Sequence, residues 1–431
     1  MFTEEDRISF ARSAGGGSAS PGGSPVSELQ VELDRLIDGR QDRLIQLRRR
    51  FHATPESSGE ERQTSALVAE TLREHGYEPR LGPEGIGVTA ELDLGAERDT
   101  FIAVRSELDC VDVNDDKQVP YASTQPGRCH ACGHDAHTTI NLATASVLAE
   151  ARARLASLPF RHNLRFLFQP AEEAATGARS MIKDGALNGV EAIIALHVDP
   201  TLETGHVGVR NGALTSACKL FEVTVRGRSG HTARPFEAVD PIPAATNLVS
   251  LFYQLAPRSI DSRYPLALTV ASIHTGMARN AIPDAATIFG TLRAARVEEL
   301  EAVQKRMHAV AEGMERATGC DIDLDFHHAC PATRNDEIVT RRFAAVAADR
   351  LGVDRVQWLE VPSLGGEDFA FYQELVPGSI IRLGAAMPDA RARRPLHSSL
   401  FDIDEGALTV GAKVLTAASL DLAAEYIGSH A

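Results

Sequence analysis

The stretch Leu164-Arg165-Phe166-Leu167-Phe168-Gln169-Pro170-Ala171-Glu172-Glu173 joins a short apolar run to two adjacent carboxylates. An apolar run of this length predicts a buried β-strand. Two carboxylates side by side at the end of a buried strand repel each other, and this repulsion is relieved if a cation neutralises one of them. The other carboxylate is then left to handle protons. The stretch therefore indicates a cation site next to a proton-transfer group.

The flanking sequence adds soft and borderline metal ligands on both sides of this stretch. Upstream lies the segment His130-Ala131-Cys132-Gly133-His134-Asp135-Ala136-His137, and downstream two histidines each end a short apolar run. The candidate ligands are Cys132, His134, Glu173, His197 and His397. Five S, N and O donors are too many for one tetrahedral zinc ion but suit two metal ions, about 3.5 Å apart, that share a bridging ligand. Glu172, which is outside this set, then remains as the general base and acid.

Each of these features also has a simpler interpretation. A single histidine at a strand end, such as His197, is commonly a partly buried structural residue, and an isolated Glu-Glu pair is commonly a solvated helix start. The spacing Cys129-His130-Ala131-Cys132 is compatible with structural zinc or a redox dithiol, but the sequence offers no second close pair for structural zinc. A Cys132 nucleophile paired with His134 or His137 would leave the two glutamates without a role. Taken together, the features favour the metal site.

Strands and helices alternate through the first half of the chain. The apolar patterns predict strands at 86–92, 101–108, 164–168 and 192–198, with helices between them, notably at 136–155. This order is typical of an α/β fold with a mostly parallel, doubly wound sheet and helices on both faces. Ligands of such sheets lie beyond the carboxyl ends of the strands. The polar residues at or just past those ends are Asp109, Glu172, Glu173 and His197, which are predicted to converge on one rim.

The pattern changes after about residue 215. Strands predicted at 220–225, 266–274, 287–294 and 322–326, with helices at 239–255 and 297–318, follow a β-α-β-β-α-β order that is typical of the ferredoxin-like split βαβ unit. We therefore expect an inserted α+β domain at residues 216–329 within a catalytic domain formed by residues 26–215 and 330–431. Residues 1–25, which contain a Gly- and Ser-rich run, are predicted to be a disordered tail.

Length and composition exclude several classes of protein. A chain of 431 residues is too long for one ordinary core, so two domains are expected. The net charge of −15 argues against nucleic acid or an anionic membrane surface as the main partner. Six cysteines in this length do not indicate a disulfide framework. We find neither a membrane-length apolar stretch nor an apolar N-terminal signal core, so the sequence predicts a cytoplasmic protein without a membrane segment.

The ordered motifs resemble a known family. The segment from His130 to His137, together with Gln169-Pro170-Ala171-Glu172-Glu173 and Pro395-Leu396-His397-Ser398, looks like the amidohydrolase branch of the aminoacylase and glutamate-carboxypeptidase-type dinuclear metallopeptidases. That branch includes indole-acetyl-amino-acid hydrolases, hippurate hydrolases and N-acyl-amino-acid amidohydrolases. The likeness runs from about Leu44 to Ala423. Four further segments share it: Phe51-His52-Ala53-Thr54-Pro55-Glu56, Gly230-His231-Thr232-Ala233-Arg234-Pro235, Asn280-Ala281-Ile282-Pro283-Asp284 and Gly365-Gly366-Glu367-Asp368-Phe369.

The resemblance implies a ligand set for two divalent metal ions. Cys132 would bridge the ions, Glu173 and His397 would complete the site of one, and His134 and His197 would complete the site of the other. Zn²⁺ or Mn²⁺ is expected, and Co²⁺ or Ni²⁺ would also suit these donors.

The resemblance also implies roles beyond the metal ligands. Glu172 would be the general base and acid. Asp109 would not bind metal itself but would orient one of the metal ligands through a hydrogen bond. The inserted domain would serve as a lid and mediate dimerisation, so a homodimer or a dimer-based oligomer is expected. Within it, His231 would help stabilise the oxyanion, and Asn280 and Arg293 would hold the carboxylate of the substrate.

The chain departs from the family pattern at three places. Arg105-Ser106-Glu107-Leu108-Asp109 stands where the family usually has Arg-Ala-Asp-Met-Asp. Cys110-Val111-Asp112-Val113 replaces the more usual Ala-Leu-Pro-Ile near the substrate, so the preference for the acyl group or the amino acid is expected to be atypical. Cys129 stands where Met or another apolar residue is common, which introduces a redox-sensitive side chain.

These observations lead to one functional hypothesis and two alternatives. The hypothesis is metal-dependent hydrolysis of the amide bond of an N-acyl amino acid or a related small conjugate, in which a metal-activated water attacks with Glu172 as general base and acid. Within the family, the alternative is a dipeptidase or carboxypeptidase. Outside enzymes, it is a non-catalytic metal- or ligand-binding relative, against which the retention of Glu172 and all five candidate ligands argues.

Overall fold

The structure is a computed structural model that describes residues 25–96 and 99–426. The predicted disordered tail lies outside these residues except for Pro25, at which the first helix begins. The α-helices are α1 (Pro25–Asp38), α2 (Gln41–Ala53), α3 (Arg62–Glu74), α4 (His134–Glu150), α5 (Arg152–Leu155), α6 (Gly177–Lys183), α7 (Pro241–Leu255), α8 (Val297–Thr318), α9 (Glu337–Leu351), α10 (Ala370–Gln373) and α11 (Ala407–Glu425).

The strands follow a similar alternation along the chain. They are β1 (Arg80–Leu81), β2 (Val88–Leu92), β3 (Phe101–Glu107), β4 (Asn163–Gln169), β5 (Val190–Glu203), β6 (Val207–Val209), β7 (Gly212–Ala213), β8 (Ala217–Arg226), β9 (Gly230–His231), β10 (Leu266–Thr275), β11 (Ala281–Ile282), β12 (Ala285–Ala294), β13 (Asp321–Cys330), β14 (Arg334–Asn335), β15 (Val356–Trp358) and β16 (Gly378–Ala386). Short 3-10 turns lie at Pro83–Gly85, Pro235–Glu237, Ala256–Arg258 and Val353–Arg355.

The chain divides into two compact units. Of the described residues, unit 1 comprises 25–212, 335–360 and 371–426, and unit 2 comprises 213–334 and 361–370. The main boundaries lie within five residues of those expected at 215/216 and 329/330. The segment Val361–Ala370 differs from the expectation, because it belongs to unit 2 and not to the unit that contains the rest of residues 330–431.

Unit 1 is built on an eight-stranded sheet in the order β1-β2-β4-β3-β5-β16-β6-β15. The central pairs β4–β3, β3–β5 and β5–β16 are parallel, whereas β1–β2 and β2–β4 on one side are antiparallel. This confirms the predicted α/β fold with a mostly parallel sheet. Every residue of β3 and β4 is buried, as expected of central strands whose two faces are both covered. Helices α4 and α11 pack on β3 and on each other.

Two elements near the candidate site differ from their predicted bounds. The helix predicted at 136–155 begins earlier, at His134, and is split into α4 and α5. The strand predicted at 192–198 continues to Glu203, so His197 lies inside β5 and not at its end. The apolar pattern does not predict this extension, because the additional residues are held by backbone pairing between β5 and β16. This pairing continues as far as Glu203 and Ala386.

Helix α11 is long and apolar enough to cross a membrane by length and composition alone. It is a core helix here, since 72% of its most apolar window is buried inside the protein. Lys413 and Asp421 interrupt its apolar run, which is why the sequence predicts no membrane segment here. Lys413 Nζ lies 2.6 Å from Asp38 Oδ1, and Asp421 pairs with Arg342 at 2.9 Å, so both charges are paired with protein groups.

Unit 2 contains a four-stranded antiparallel sheet in the order β10-β12-β8-β13. Helices α7 and α8 pack on it, and the apolar residues Phe221, Val223 and Val225 of β8 belong to the core of this unit. The element order from β8 to β13 confirms the predicted ferredoxin-like βαββαβ pattern, with the short strands β9 and β11 as an additional pair.

Candidate metal centre

The candidate metal centre lies at the carboxyl edge of the unit 1 sheet. Strand β3 ends at Glu107 and β4 ends at Gln169, and these two residues are partners across the parallel ladder. The chain after β3 therefore carries Asp109 to the same edge as Glu172 and Glu173, which follow β4. This is the convergence that the order of strands and helices predicted.

Gly133 allows helix α4 to begin against this edge. Its φ of 84° lies in the left-handed region, and a Cβ atom there would lie 2.4 Å from Cγ2 of Val198 in β5. Only glycine fits this position without strain or displacement of the strand. The turn places Cys132 before the helix and His134 at its first residue, facing the strand that carries His197.

The six polar side chains singled out at this edge form three overlapping groups of possible metal ligands. Within each group, one ligand atom per residue lies within 4.8 Å of the others. The groups are Cys132, His134 and His197; Cys132, Glu173 and His397; and His134, Glu172 and Glu173. The structure thus brings together all five predicted ligands and Glu172.

Two contacts define the two sides of this cluster. Cys132 Sγ lies 3.5 Å from His197 Nε2, and His397 Nε2 lies 3.5 Å from Glu173 Oε1. His397 has φ 66°, and its backbone N–H donates to the carbonyl of Ala131 at 2.8 Å. Left-handed backbone is uncommon for a residue with a side chain and is often found at functional sites. The hydrogen bond ties the loop that carries His397 to the residue before Cys132.

Asp109 orients two members of the cluster. Nδ1 of His134 lies 2.9 Å from the Asp109 carbonyl oxygen and 3.2 Å from Oδ1, which leaves Nε2 directed at the cluster. Oδ2 accepts hydrogen bonds from the backbone N–H of Glu173 at 2.9 Å and from Ser58 Oγ at 2.7 Å. Burial raises the pKa of Asp109, but the hydrogen bonds from His134 and Glu173 outweigh this effect and keep its pKa below the ordinary value. An ionised Asp109 therefore orients both candidate ligands, His134 and Glu173.

His137 occupies a different position from the ligand candidates, although it belongs to the same sequence motif. Its Nε2 accepts the backbone N–H of Val198 at 2.9 Å, and its Nδ1 lies 2.7 Å from Glu107 Oε2. Both ring nitrogens are therefore engaged with the protein. Burial raises the pKa of Glu107, but Arg105 and His137 outweigh it and hold the pKa well below the ordinary value. The hydrogen bonds of His137 to Glu107 and to Val198 thus hold β5 in place next to His197.

The electrostatics of the cluster favour a bound cation. Burial, followed by the charge of Glu173, raises the pKa of the Cys132 thiol far above its ordinary value. Burial lowers the pKa of His197, whose Nδ1 donates to the Val198 carbonyl at 2.8 Å, so a neutral ring presents its Nε2 lone pair to the cluster. A thiolate here needs a nearby positive charge, and a metal ion supplies one.

Two orphaned atoms test whether the residues fit metal ions. Nε2 of His134 and Oε1 of Glu173 are buried and have no hydrogen-bond partner within the described part of the chain, and they lie 3.9 Å apart. A buried polar atom without a partner is costly and calls for an explanation. Coordination of a divalent cation satisfies both atoms, and the mixed S, N and O donors suit first-row ions. The residues fit the metal ions that the sequence predicted.

Glu61 is a buried neighbour of the site that sequence reasoning missed. Its Oε1 accepts the backbone N–H of Ala171 at 2.7 Å, directly before Glu172. Ala171 itself has φ 50°, so this hydrogen bond holds a strained turn. Burial raises the pKa of Glu61 to about 7. No sequence signal marked it, because an isolated glutamate is expected to be exposed.

A second buried network anchors the first turn of α4. Arg48 Nε donates to Asp135 Oδ2 at 2.7 Å, and His52 Nδ1 lies 2.7 Å from the same oxygen. Lys117 Nζ lies 3.0 Å from His52 Nε2 and 2.8 Å from Asp115 Oδ1. Burial and Arg48 disfavour protonation of His52, but Asp135 and Asp115 outweigh them and raise its pKa to about 10. His52 and Asp135 stand out in the sequence only as members of the motifs, and no sequence signal marks Arg48 or Lys117.

Unit 2 carries the remaining predicted site residues. His231 is exposed in β9 and pairs with Ala281 of β11, which places Asn280 beside it. His231 Nδ1 accepts the backbone N–H of Ala233 at 3.0 Å, so the proton of a neutral ring resides on Nε2. Arg293 lies on β12, is partly buried and donates to the Leu364 carbonyl at 3.1 Å. The structure thus makes His231 and Asn280 neighbours and places Arg293 on a separate strand.

The chain is similar to proteins of known sequence and structure. N-acetylcysteine deacetylase of Bacillus subtilis is 36% identical over 86% of this chain and 94% of its own length. IAA-amino acid hydrolase ILR1-like 4 of Arabidopsis thaliana is 33% identical over 86% of this chain and 84% of its own length. The crystal structure of the Bacillus subtilis YXEP protein, described as a dinuclear metal binding peptidase, superimposes with a TM-score of 0.75 at 32% identity and covers 90% of this chain and 99% of that one.

The family itself follows from a match to most of the chain. The sequence profile of Peptidase family M20/M25/M40 matches residues 103–421, a range that includes every candidate metal ligand together with Glu172. With the resemblance to the amidohydrolase branch thus confirmed, this chain belongs to the M20/M25/M40 family of peptidases.

Proposed function

We propose that this protein hydrolyses the amide bond of N-acyl amino acids or related small conjugates in a metal-dependent reaction. Its family and its similarity to relatives named as a deacetylase and an amino-acid-conjugate hydrolase support an enzyme that acts on amide bonds. The single observation that carries the proposal is the convergence of the three ligand groups on one edge of the sheet, with Glu172 beside them.

The ligand groups correspond to the metal assignment that the sequence suggested. One group joins Cys132 to Glu173 and His397, and another joins Cys132 to His134 and His197. Cys132 belongs to both groups, as expected of a bridging ligand. Two bound divalent ions would polarise the amide carbonyl and increase the acidity of a water molecule. Zn²⁺ and Mn²⁺ are the proposed ions, and the donors also suit Co²⁺ and Ni²⁺.

Glu172 is the proposed proton carrier of the reaction. Its side chain is mostly buried, and its Oε2 lies 3.9 Å from Nε2 of His134. This position lets the carboxylate take a proton from the attacking water and return it to the departing amine nitrogen. The turn held by Glu61 at Ala171 fixes the backbone directly before Glu172.

Unit 2 supplies the proposed substrate contacts. The Nε2–H of His231 is suited to donate to the oxyanion, and Asn280 lies next to it. Arg293 is proposed to select a free carboxylate through its guanidinium group. We also propose that unit 2 is the lid and dimerisation domain of a cytoplasmic homodimer or dimer-based oligomer, as the resemblance implies.

Adjacent substitutions separate the proposed roles of the two glutamates. Glu172→Gln should retain the bound metal and lose about 10²–10⁴-fold in kcat, because only proton transfer is removed. Glu173→Gln is the matched control, and it should lose metal as well as activity. Metal content is read by elemental analysis and turnover by amine release. Unchanged turnover of Glu172→Gln would refute the assignment of the base.

A substrate screen tests the proposed reaction class. N-acyl amino acids are compared with dipeptides, and the acyl group and the amino acid are varied separately with metal-reconstituted protein. Preferential hydrolysis of acylated amino acids supports the proposal. Faster cleavage of dipeptides would instead assign the chain to the dipeptidases or carboxypeptidases of the family.

A further inference from the structure

Two cysteines of unit 2 lie directly opposite each other in the antiparallel sheet. Cys218 of β8 and Cys330 of β13 are Cα partners in the strand register. Directly opposed residues of antiparallel strands have Cα atoms about 4.5–5.5 Å apart and side chains on the same face. A disulfide needs Cα atoms about 4.4–6.8 Å apart. The typical spacing of opposed residues therefore falls within the range of a disulfide, and the register of β13 shifts between His328 and Cys330, directly before this pair.

Neither cysteine forms a disulfide bond in this structure, and both lie buried at an end of the sheet. Their exposed fractions are 3% for Cys218 and 4% for Cys330. Cys330 is the last residue of β13, and β13 is the edge strand of the four-stranded sheet. The end of an edge strand opens locally at a lower free energy than a central strand. Local opening of β13 would give a small oxidant access to both sulfur atoms.

A positive charge lies on the other side of this pair. Arg293 of β12 is the Cα partner of Cys218, so Arg293, Cys218 and Cys330 form one row on the same face of the sheet. Burial raises the pKa of the Cys218 thiol, and the Arg293 guanidinium partly offsets this increase. A cation beside a thiol favours the thiolate, which is the form that reacts with peroxides.

We propose that Cys218 and Cys330 are a redox modification site that a hydroperoxide oxidises to a reversible disulfide. The thiolate of one cysteine attacks the O–O bond of hydrogen peroxide, becomes a sulfenic acid and releases one water. The sulfur of the second cysteine then attacks the sulfenic sulfur, forms the S–S bond and releases a second water. The two thiols together lose two electrons and two protons, and the peroxide is reduced to two waters.

The disulfide would act on the segment that Arg293 holds. A Cβ atom added at Gly366 would lie 2.9 Å from Cys330 Sγ and 3.9 Å from Arg293 Nη1, so both side chains flank this glycine. Arg293 also donates to the carbonyl of Leu364 in the same segment. Movement of the Cys330 sulfur toward Cys218 therefore alters the packing next to Arg293. This consequence rests on the proposed function, in which Arg293 binds the substrate's carboxylate.

Peptide mapping after oxidation tests the modification site without using activity. Metal-loaded protein is treated with hydrogen peroxide, alkylated, digested and analysed by mass spectrometry. We expect the two cysteine peptides to be joined with a mass about 2 Da below the sum of the reduced peptides, and to separate on addition of a reductant. Cys218→Ser and Cys330→Ser should each abolish the joined species. Cys320→Ser, which changes another buried cysteine of unit 2, should retain it.

Two outcomes would overturn parts of the proposal separately. Recovery of Cys218 and Cys330 as alkylated thiols or sulfinic acids, after other thiols have reacted, would exclude the disulfide. If the disulfide forms, the KM of a carboxylate-bearing substrate should rise several-fold in the wild type and be restored by the reductant, whereas Cys330→Ser treated in parallel should show no such change. An unchanged KM in the disulfide-containing enzyme would refute the coupling to Arg293 and leave the modification site standing.

Discussion

Replacement of Glu61 by Gln tests the electrostatics beneath the proposed base. Glu61 is fully buried, and its Oε2 has no hydrogen-bond partner among the described residues. Burial raises its pKa from the ordinary 4.5 to about 7. The folded protein therefore binds this proton more tightly than the unfolded chain does. The contribution of Glu61 to the free energy of unfolding consequently falls as the pH rises from about 4.5 to about 7.

The pKa difference gives the size of the expected effect. A difference of about 2.5 in pKa corresponds to about 3 kcal/mol. Because Gln cannot ionise, the free energy of unfolding of Glu61→Gln minus that of the wild type should increase by about 3 kcal/mol between about pH 4.5 and about pH 8. Burial of the additional Gln amide lowers this difference at all pH values equally, so the increase with pH is the diagnostic quantity.

Urea unfolding at several pH values measures how the difference in free energy of unfolding changes with pH, and tryptophan fluorescence restricts the measurement to unit 1. Trp358 is the only tryptophan of the chain and lies in β15 of unit 1, which also contains Glu61. Its fluorescence therefore reports unfolding of that unit, with metal kept in excess for every variant. Glu78→Gln, a change at an exposed glutamate of the same unit, is the matched control and should show a constant difference. A constant difference for Glu61→Gln would refute the reasoning.

Three further predictions concern the metal centre. Dialysis against a strong chelator should abolish activity, and added Zn²⁺ or Mn²⁺ should restore it; activity that survives verified metal removal would point to Cys132 as a nucleophile. His137→Asn should weaken metal binding about 10–100-fold in a competition titration, because the ring no longer secures β5, and an unchanged affinity would contradict that role. Gly133→Ala should lower the melting temperature far more than Gly127→Ala. Both glycines have positive φ, but only at Gly133 would the added Cβ meet another side chain, at 2.4 Å from Cγ2 of Val198. Equal decreases in melting temperature would show that backbone strain alone determines the effect.

The sequence predicts the position of a residue where the chemistry of its side chain agrees with the environment that the fold gives it. The apolar run before Gln169 is buried on both faces, so its pattern predicted β4 within a residue at each end. Cys132, Glu173 and His397 could be identified from the sequence because each is a possible metal ligand and each lies in or next to a motif rich in such ligands or at the end of an apolar run. The structure brings these three side chains together, and their assignments as metal ligands stay predictions.

The residues that the sequence did not predict owe their positions to tertiary contacts. Glu61 and Glu107 are buried, although an isolated glutamate in a sequence is expected at the surface. The end of β5 at Glu203 depends on its pairing with β16, which no local pattern records. The segment Val361–Ala370 contains Gly365 and Gly366 and has no periodicity, so its membership of unit 2 emerges only from the folded contacts.

Elemental analysis of the purified protein tests the central claim most directly. Protein saturated with Zn²⁺ or Mn²⁺ and freed of excess ions should contain about two divalent ions per chain. Glu172→Gln should keep both ions, and Cys132→Ala should lose most of this content because both ligand groups share the sulfur. Wild-type protein that holds no divalent ion, or a Cys132→Ala variant that retains two, would contradict the paired metal centre.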